Sequence, residues 1–217
     1  VKHYNIRPQD ISIVYLAADK RFTSKISKSG IHRVTLKYKL PPKFILSLGV
    51  IQNRRNIDVL IKSFTQIKGE FNDYSLVVIG RNYTQPHIDV EYLMREMIEN
   101  KEAIYIPWVE DADLPALYQA AYYYICTSTV DGETIMLKEA MQSGTPVITS
   151  PLLKESIGGN GLIINDPESV SDTSNILRIA MHDDIKRHQL IRAGIKWTQN
   201  ISWDHVAEKI LTFLESR

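Results

Sequence analysis

A chain of 217 residues with 44% hydrophobic content can bury a full core, and its length suits one domain with at most an appendage. Its 26 basic and 25 acidic side chains leave a formal net charge of +1, which removes the electrostatic case for a nucleic-acid-binding domain, so no nucleic acid is expected as a partner. The single cysteine, Cys126, cannot form an internal disulfide, no apolar run approaches the roughly 20 residues that cross a bilayer, and no signal peptide opens the chain; a soluble, cytoplasmic protein is expected. The start at Val1 rather than methionine adds the expectation of a part of a longer chain.

Residues 1–43 differ in character from the rest. The apolar stretch Ile11–Leu16 reads as a strand. Lys20, Arg21, Lys25, Lys28, Arg33, Lys37, Lys39 and Lys43 follow with almost no acid among them. Such a cluster suits either an anionic membrane surface or a solvated linker. The scattered spacing, without an amphipathic pattern, favours the linker, which Pro41-Pro42 ends.

A regular alternation then begins. Phe44–Leu48 is a continuous apolar run, as in a strand buried on both faces. Asn56 is placed to cap a helix whose Ile57, Leu60, Ile61, Phe64 and Ile67 follow helical spacing. Leu76–Ile79 is the next strand, stopped by Gly80, and residues 86–100 carry Ile88, Tyr92, Met97 and Ile98 on a helix. Ala103–Ile106 is a third strand, Asp113–Ala121 a short helix and Tyr122–Cys126 a fourth strand, with its three tyrosines on alternating faces. A helix Thr134–Ser143 closed by Gly144, a fifth strand Pro146–Thr149 and a sixth, Gly161–Ile164, complete the pattern. From Pro167 the chain reads as helical, and Ser202 is placed to cap a last helix carrying Val206, Ile210, Phe213 and Leu214. Short connections between strands and helices imply parallel pairing with right-handed crossovers, hence an α/β, Rossmann-like doubly wound sheet with C-terminal helices. The chain divides as a connector and basic linker over 1–43, the sheet domain over 44–200 and a terminal helix over 201–217.

In such a sheet ligands bind beyond the carboxyl ends of the strands. The loop after the first strand, Gly49 to Asn56, turns on a glycine, carries Arg54 and Arg55, and enters a helix whose start favours anions. Its arginines suit phosphate oxygens or are simply solvated. No glycine-x-glycine-x-x-glycine run is present, which argues against a dehydrogenase. In the loop after the fourth strand, Gly132 allows a close backbone approach and Thr134 stands at the next helix start. Glu139 can lean back from that helix toward the crevice and accept hydrogen bonds from sugar or ribose hydroxyls; a surface glutamate is the plainer alternative. Trp108, followed by Val109, either meets a nucleobase or fills a core edge. Cys126 reads as a small buried hydrophobe. Among the six histidines, His182 and His188 have the wrong spacing for a helical ligand pair, so no metal is expected.

Taken in order, the segments FILSLGVIQNRRNIDVLIKSF, LVVIG, IPWVEDADLPALYQAA, LKEAMQSGTPVITS and SIGGNGLIINDP, with the late Ser202-Trp203, resemble the C-terminal domain of GT-B glycosyltransferases. The likeness is to the large retaining family with many mannosyl- and rhamnosyltransferases, and it reaches back through the connector-like YNIRPQDISIVYLAAD. It implies transfer of a hexose from a nucleoside-diphosphate sugar to a glycan or lipid-linked acceptor held by an N-terminal domain. Retained anomeric configuration, no metal and no further cofactor are implied too. GDP-mannose is the leading donor, with UDP-sugars next, and peripheral association with the cytoplasmic face of a membrane is compatible. The last helix is implied to pack back toward the N-terminal domain.

The family carries two glutamates eight positions apart; Glu139 matches the second, and Asp131 stands at the first on a shorter arm. The resemblance places Arg55, with Arg54, on the diphosphate, Gly132 and Thr134 as backbone donors, Asp131 on sugar hydroxyls and Glu139 on the ribose. Trp108 and Val109 would border the base, and Gly49, Gly80 and Ile135 complete the implied binding residues. Val50 stands where many members have arginine, and Met136 replaces a frequent proline. Glu133 and Thr134 replace a hydrophobic residue and a glycine, and Glu133 is expected to bring an extra negative charge to the binding turn. The competing reading is a non-catalytic module of the same fold that binds a nucleotide weakly or serves as a partner surface.

Overall fold

The computed structural model of the protein describes residues 5–216. Val1 to Tyr4, where the connector-like stretch begins, and Arg217 lie outside them. Six strands, β1 (Phe44–Leu48), β2 (Ser75–Ile79), β3 (Ala103–Ile106), β4 (Tyr123–Cys126), β5 (Val147–Thr149) and β6 (Leu162–Ile163), form one sheet in the order β3-β2-β1-β4-β5-β6. Every pairing is parallel, with Phe44 beside Ser75 and Ile45 beside Tyr123. Strand order reverses between β1 and β4, so the crevice at their carboxyl ends is the switch point of a doubly wound fold.

The alternation of side chains along β1 explains the two layers. Ile45, with Leu76, Val78, Tyr123 and Ile125, packs against Leu60 and Phe64 of α2 (Ile57–Ile67), Met94 of α3 (Val90–Glu99) and Leu177 of α6 (Val170–His182). Phe44 and Leu46, with Val77, Tyr124 and Val147, face Leu117 of α4 (Leu114–Ala120) and Leu137 and Ala140 of α5 (Ile135–Gln142). Each such side chain taken out of water contributes about 1.5–3 kcal/mol, so strands buried on both faces hold the sheet together. Two further helices, α7 (Asp184–Gln199) and α8 (Trp203–Glu215), close the chain, and Ser202 accepts the N–H of His205 at 3.1 Å as the α8 cap. In α8 Val206 is buried, while Trp203, Ile210, Leu211 and Leu214 are exposed.

The first 43 residues depart from expectation. Ile11–Leu16 is extended but pairs with no strand, and Ile11, Ile13 and Leu16 are exposed. Residues 20–43 are not a solvated linker. Lys28–Lys37 forms a helix, α1, capped by Ser27, and both Phe22 and Val34 are fully buried in the layer of α4 and α5. Half of the basic residues that suggested solvation, Arg21, Arg33, Lys37 and Lys43, are met by acids further along the chain. Arg21 pairs with Asp111, and the buried Asp113 accepts from Lys37 at 2.7 Å and from the Tyr38 hydroxyl at 2.9 Å.

Smaller differences follow from local chemistry. Asn56 does not cap α2 with its side chain; it takes a left-handed backbone (φ 48°) and donates to the Pro167 carbonyl at 3.2 Å. The third helix starts later than its apolar pattern, because Asp89 caps it at the Tyr92 N–H, 2.9 Å away. Tyr122 precedes β4 and packs edge-on against Tyr74, while Tyr123 and Tyr124 alternate between the two layers.

Candidate functional site

The loops beyond β1 and β2 are laced together. Gly49 donates to the Ile79 carbonyl, Gly80 to that of Ile106, and Ile51 bridges to Asn82. At Gly80 the backbone has φ +151°, and a Cβ there would lie 1.9 Å from the Gly49 carbonyl oxygen, so the approach demands glycine. The result is a cleft of about 420 Å³ lined by Gly49, Val50, Gly80, Tyr83, Trp108 and Val109. Trp108 is 60% exposed and Val109 buried, so the indole is available to a ligand rather than filling a core edge.

On the other side of the switch point, Asn53–Arg55 forms a tight turn whose peptide carbonyls are held by the loop after β4. Thr127 donates its hydroxyl to the Arg55 carbonyl at 2.6 Å, and the Thr129 N–H reaches the Arg54 carbonyl at 2.8 Å. Their guanidinium groups converge on one carboxylate. Arg54 Nη1 lies 3.2 Å and Arg55 Nη2 3.8 Å from Asp131 Oδ2, which also accepts the Thr134 hydroxyl at 2.8 Å. Arg54 further donates to the Val130 carbonyl and to Gln52. Arg55 is the more enclosed of the two, and its buried Nε has no hydrogen-bond partner.

Glu139 accepts the Tyr118 hydroxyl at 2.9 Å. Burial raises this carboxyl above the usual carboxylate range, while the Tyr118 bond and the charge of Arg21 pull it back. Burial also drives the Tyr118 and Tyr124 hydroxyls well above the phenol range; Glu139 adds to that and Arg55 opposes it, so both charges act on the same tyrosine pair.

Glu133 does not face an anion. One oxygen accepts the Leu16 N–H at 2.8 Å and the other pairs with the ammonium of Lys138. Gly132 is exposed with open space around it, and Thr134 and Ile135 stand at the start of α5, where Thr134 makes no side-chain cap. The structure thus brings Arg54, Arg55, Asp131 and Thr134 into one cluster and Gly49, Gly80, Trp108 and Val109 into an adjacent cleft. Glu133 is turned away from both. Tyr118 and Lys138 escaped the sequence reading; the signal for Lys138 was a lone lysine among the inward positions Leu137, Ala140 and Met141. Among the described residues no group of three or more His, Cys, Asp or Glu could hold a metal ion, and no helix is long and apolar enough to cross a membrane.

A parallel sheet of this order with helices on both faces is a Rossmann-like doubly wound sheet, one half of a GT-B fold. The sequence model of one family, Glycosyl transferases group 1, matches residues 30–197, and the chain belongs to that family. It is 28% identical over 213 residues to O-antigen chain mannosyltransferase B of Escherichia coli, covering 92% of this chain and 55% of the relative. It is 26% identical over 185 residues to the serotype-specific mannosyltransferase WbdA of Escherichia coli, covering 83% of this chain and 23% of the relative. The chain therefore spans between about a quarter and about half of these relatives' lengths. The crystal structure of Anabaena Alr3699/HepE in complex with UDP and glucose superposes with a TM-score of 0.77 at 18% identity, over 95% of this chain and 57% of that one, a likeness of fold.

Proposed function

We propose that the chain is the donor-binding, C-terminal half of a retaining hexosyltransferase that takes mannose from GDP-mannose and passes it to a glycan or lipid-linked acceptor. The observation that carries this reading is the convergence of Arg54 and Arg55 on Asp131 beside the start of α5, across the switch point from the Trp108 cleft. As the glycosidic bond to the diphosphate breaks, negative charge grows on the leaving oxygen. Two guanidinium groups and the free amides at a helix start are the groups suited to stabilise it, with no metal. Asp131 then accepts from sugar hydroxyls, Glu139 from the ribose, and Trp108 and Val109 border the base. The relatives' names support mannose, and the UDP bound by HepE supports a nucleotide as ligand. An N-terminal half supplies the acceptor site, and the exposed apolar residues of α8 give it a surface to pack on. The enzyme works at the cytoplasmic face of a membrane, and this half alone transfers no sugar.

A thermal-shift panel of GDP, UDP, ADP and their sugars tests the reading, because a ligand that binds only the folded state raises its apparent stability. GDP and GDP-mannose are expected to raise the melting temperature most. A panel in which no nucleotide moves it sinks the donor reading and favours a non-catalytic module, for which the occupation of both arginines by Asp131 is the supporting observation.

A further inference from the structure

We propose that Glu133 and Lys138 are positioning residues, a charge pair that clips the segment entering the domain onto the turn Asp131–Thr134 and so sets the shape of that turn. That the turn receives a sugar donor rests on the reading above; the clip itself does not.

Leu16 lies in a stretch that pairs with no strand, so its N–H and C=O have no ladder partner. This pair supplies a partner to each. Glu133 Oε2 accepts the Leu16 N–H at 2.8 Å, and Lys138 Nζ donates to the Leu16 carbonyl at 2.7 Å. The same ammonium pairs with Glu133 Oε1 and lies 5.2 Å from the Tyr15 ring centroid. Two charged side chains thus stand in for the donor and acceptor of an adjacent strand. Lys138 is 1% exposed, and a lysine so enclosed is tolerated only when paired and hydrogen-bonded. Burial draws it down to about 8, still charged at neutral pH.

The location of the clip makes it more than an anchor. Glu133 lies inside the turn between Asp131 and Thr134, and Lys138 directly precedes Glu139 on α5. A Cβ built at Gly132 would meet nothing within 4 Å, so no side-chain packing holds the turn there. Its fixed points are the Arg54 bond to the Val130 carbonyl, the pairing of Arg54 and Arg55 with Asp131, the Thr134 bond to Asp131 and the clip. A pull on the entering segment is transmitted to the residues flanking Asp131 and Glu139.

Hydrogen exchange read by mass spectrometry on the full protein, with GDP titration alongside, tests this. In Lys138→Met, exchange over residues 11–18 and 128–134 is expected to rise together by roughly tenfold or more, while Leu76–Ile79 keeps its protection. Glu133→Gln retains an oxygen for the Leu16 N–H but takes the counter-charge from the enclosed ammonium, and it is expected to lose part of the protection over both segments. Leu16→Pro deletes that N–H and leaves both charges, and it is expected to loosen the turn 117 residues away. If Lys138→Met does not fold, Leu16→Pro decides. Unchanged exchange over 128–134 in Leu16→Pro overturns the proposal, whatever happens at 11–18. Where GDP binds, the loosening variants weaken it severalfold; if GDP does not bind the unaltered protein, the donor reading falls and the joint loosening still decides the clip.

Discussion

Arg54 holds Asp131 at 3.2 Å, so a carboxylate of the chain itself already sits where two guanidinium groups converge. An incoming diphosphate competes with that carboxylate. Asp131→Asn is therefore expected to leave GDP affinity unchanged or to raise it by up to about 1 kcal/mol, the scale of an ion pair near the surface. The same change is expected to reduce any advantage of GDP-mannose over GDP, since the sugar hydroxyls exchange a charged acceptor for a neutral, weaker one. Calorimetry with both ligands checks this; a variant that loses GDP itself would show that Asp131 serves the nucleotide instead.

Arg55→Ala is expected to weaken GDP by about 1.5–3 kcal/mol, the worth of a hydrogen bond to a charged group. Arg54→Ala is expected to cost less, because that side chain is 40% exposed against 15% for Arg55. Both effects shrink as salt rises, the Arg54 effect more steeply. Unaltered affinity in both variants removes the phosphate role from this loop.

Glu139 gives a pH signature. Burial raises its carboxyl above the ordinary value, and a ribose hydroxyl donates more strongly to the ionised form than to the neutral one. GDP affinity is therefore expected to fall as pH drops through this raised value. Tyr118→Phe removes a bond that favours the anion, so it moves the midpoint upward. Glu139→Gln is expected to weaken GDP and GDP-mannose alike and to flatten the profile. On stability the sign is opposite: a carboxyl raised on folding favours the folded state at low pH and loses that contribution as pH rises through its folded value. Isothermal titrations from about pH 5 to 8 read the binding effect.

Asp113 fastens α1 to the sheet domain. Asp113→Ala is expected to destabilise by about 1–2 kcal/mol, moderated because its partners Lys37 and Arg33 are largely solvated. Burial alone would raise this carboxyl, yet Lys37 and Tyr38 hold it below its ordinary value. Its contribution is thus present above the unfolded pKa of about 3.9 and lost as pH falls through the folded one. Denaturant melts at neutral and acid pH should converge for the two proteins; equal stability at neutral pH would show that α1 does not depend on this carboxylate.

Two glycines separate architecture from site. Gly80→Ala forces a Cβ against the Gly49 carbonyl at a strained φ, and a loss of at least about 1–3 kcal/mol is expected. Gly132→Ala meets open space, so the melting temperature should barely move. Equal melting temperatures for both variants would contradict the packing of the two loops.

The sheet was legible because parallel strands buried on both faces appear as unbroken apolar runs, as in Phe44–Leu48 and Leu76–Ile79. Arg54, Arg55, Asp131 and Thr134 could be located because they fall in loops that follow strands. Helix α1 was not legible: its Arg33 and Lys37 look solvated until Asp113, some 80 residues on, is brought alongside. Whether Glu133 points toward the phosphate site or away from it was not legible for the same reason. Proximity in sequence placed it beside a phosphate site, whereas its partner Lys138 lies one helical turn further, and the Leu16 backbone enters from the opposite end of the chain.

Thr127 and Thr129 grip Arg54 and Arg55 by their peptide carbonyls, not by their guanidinium groups. The course of the loop is therefore held chiefly through its backbone, with the Arg54 side chain adding ties to Gln52 and to the Val130 carbonyl. A lysine or glutamine at either position would inherit the same platform and present different chemistry from it. Drift in leaving-group preference can then proceed by single substitutions at 54 and 55 without passing through an unfolded ancestor.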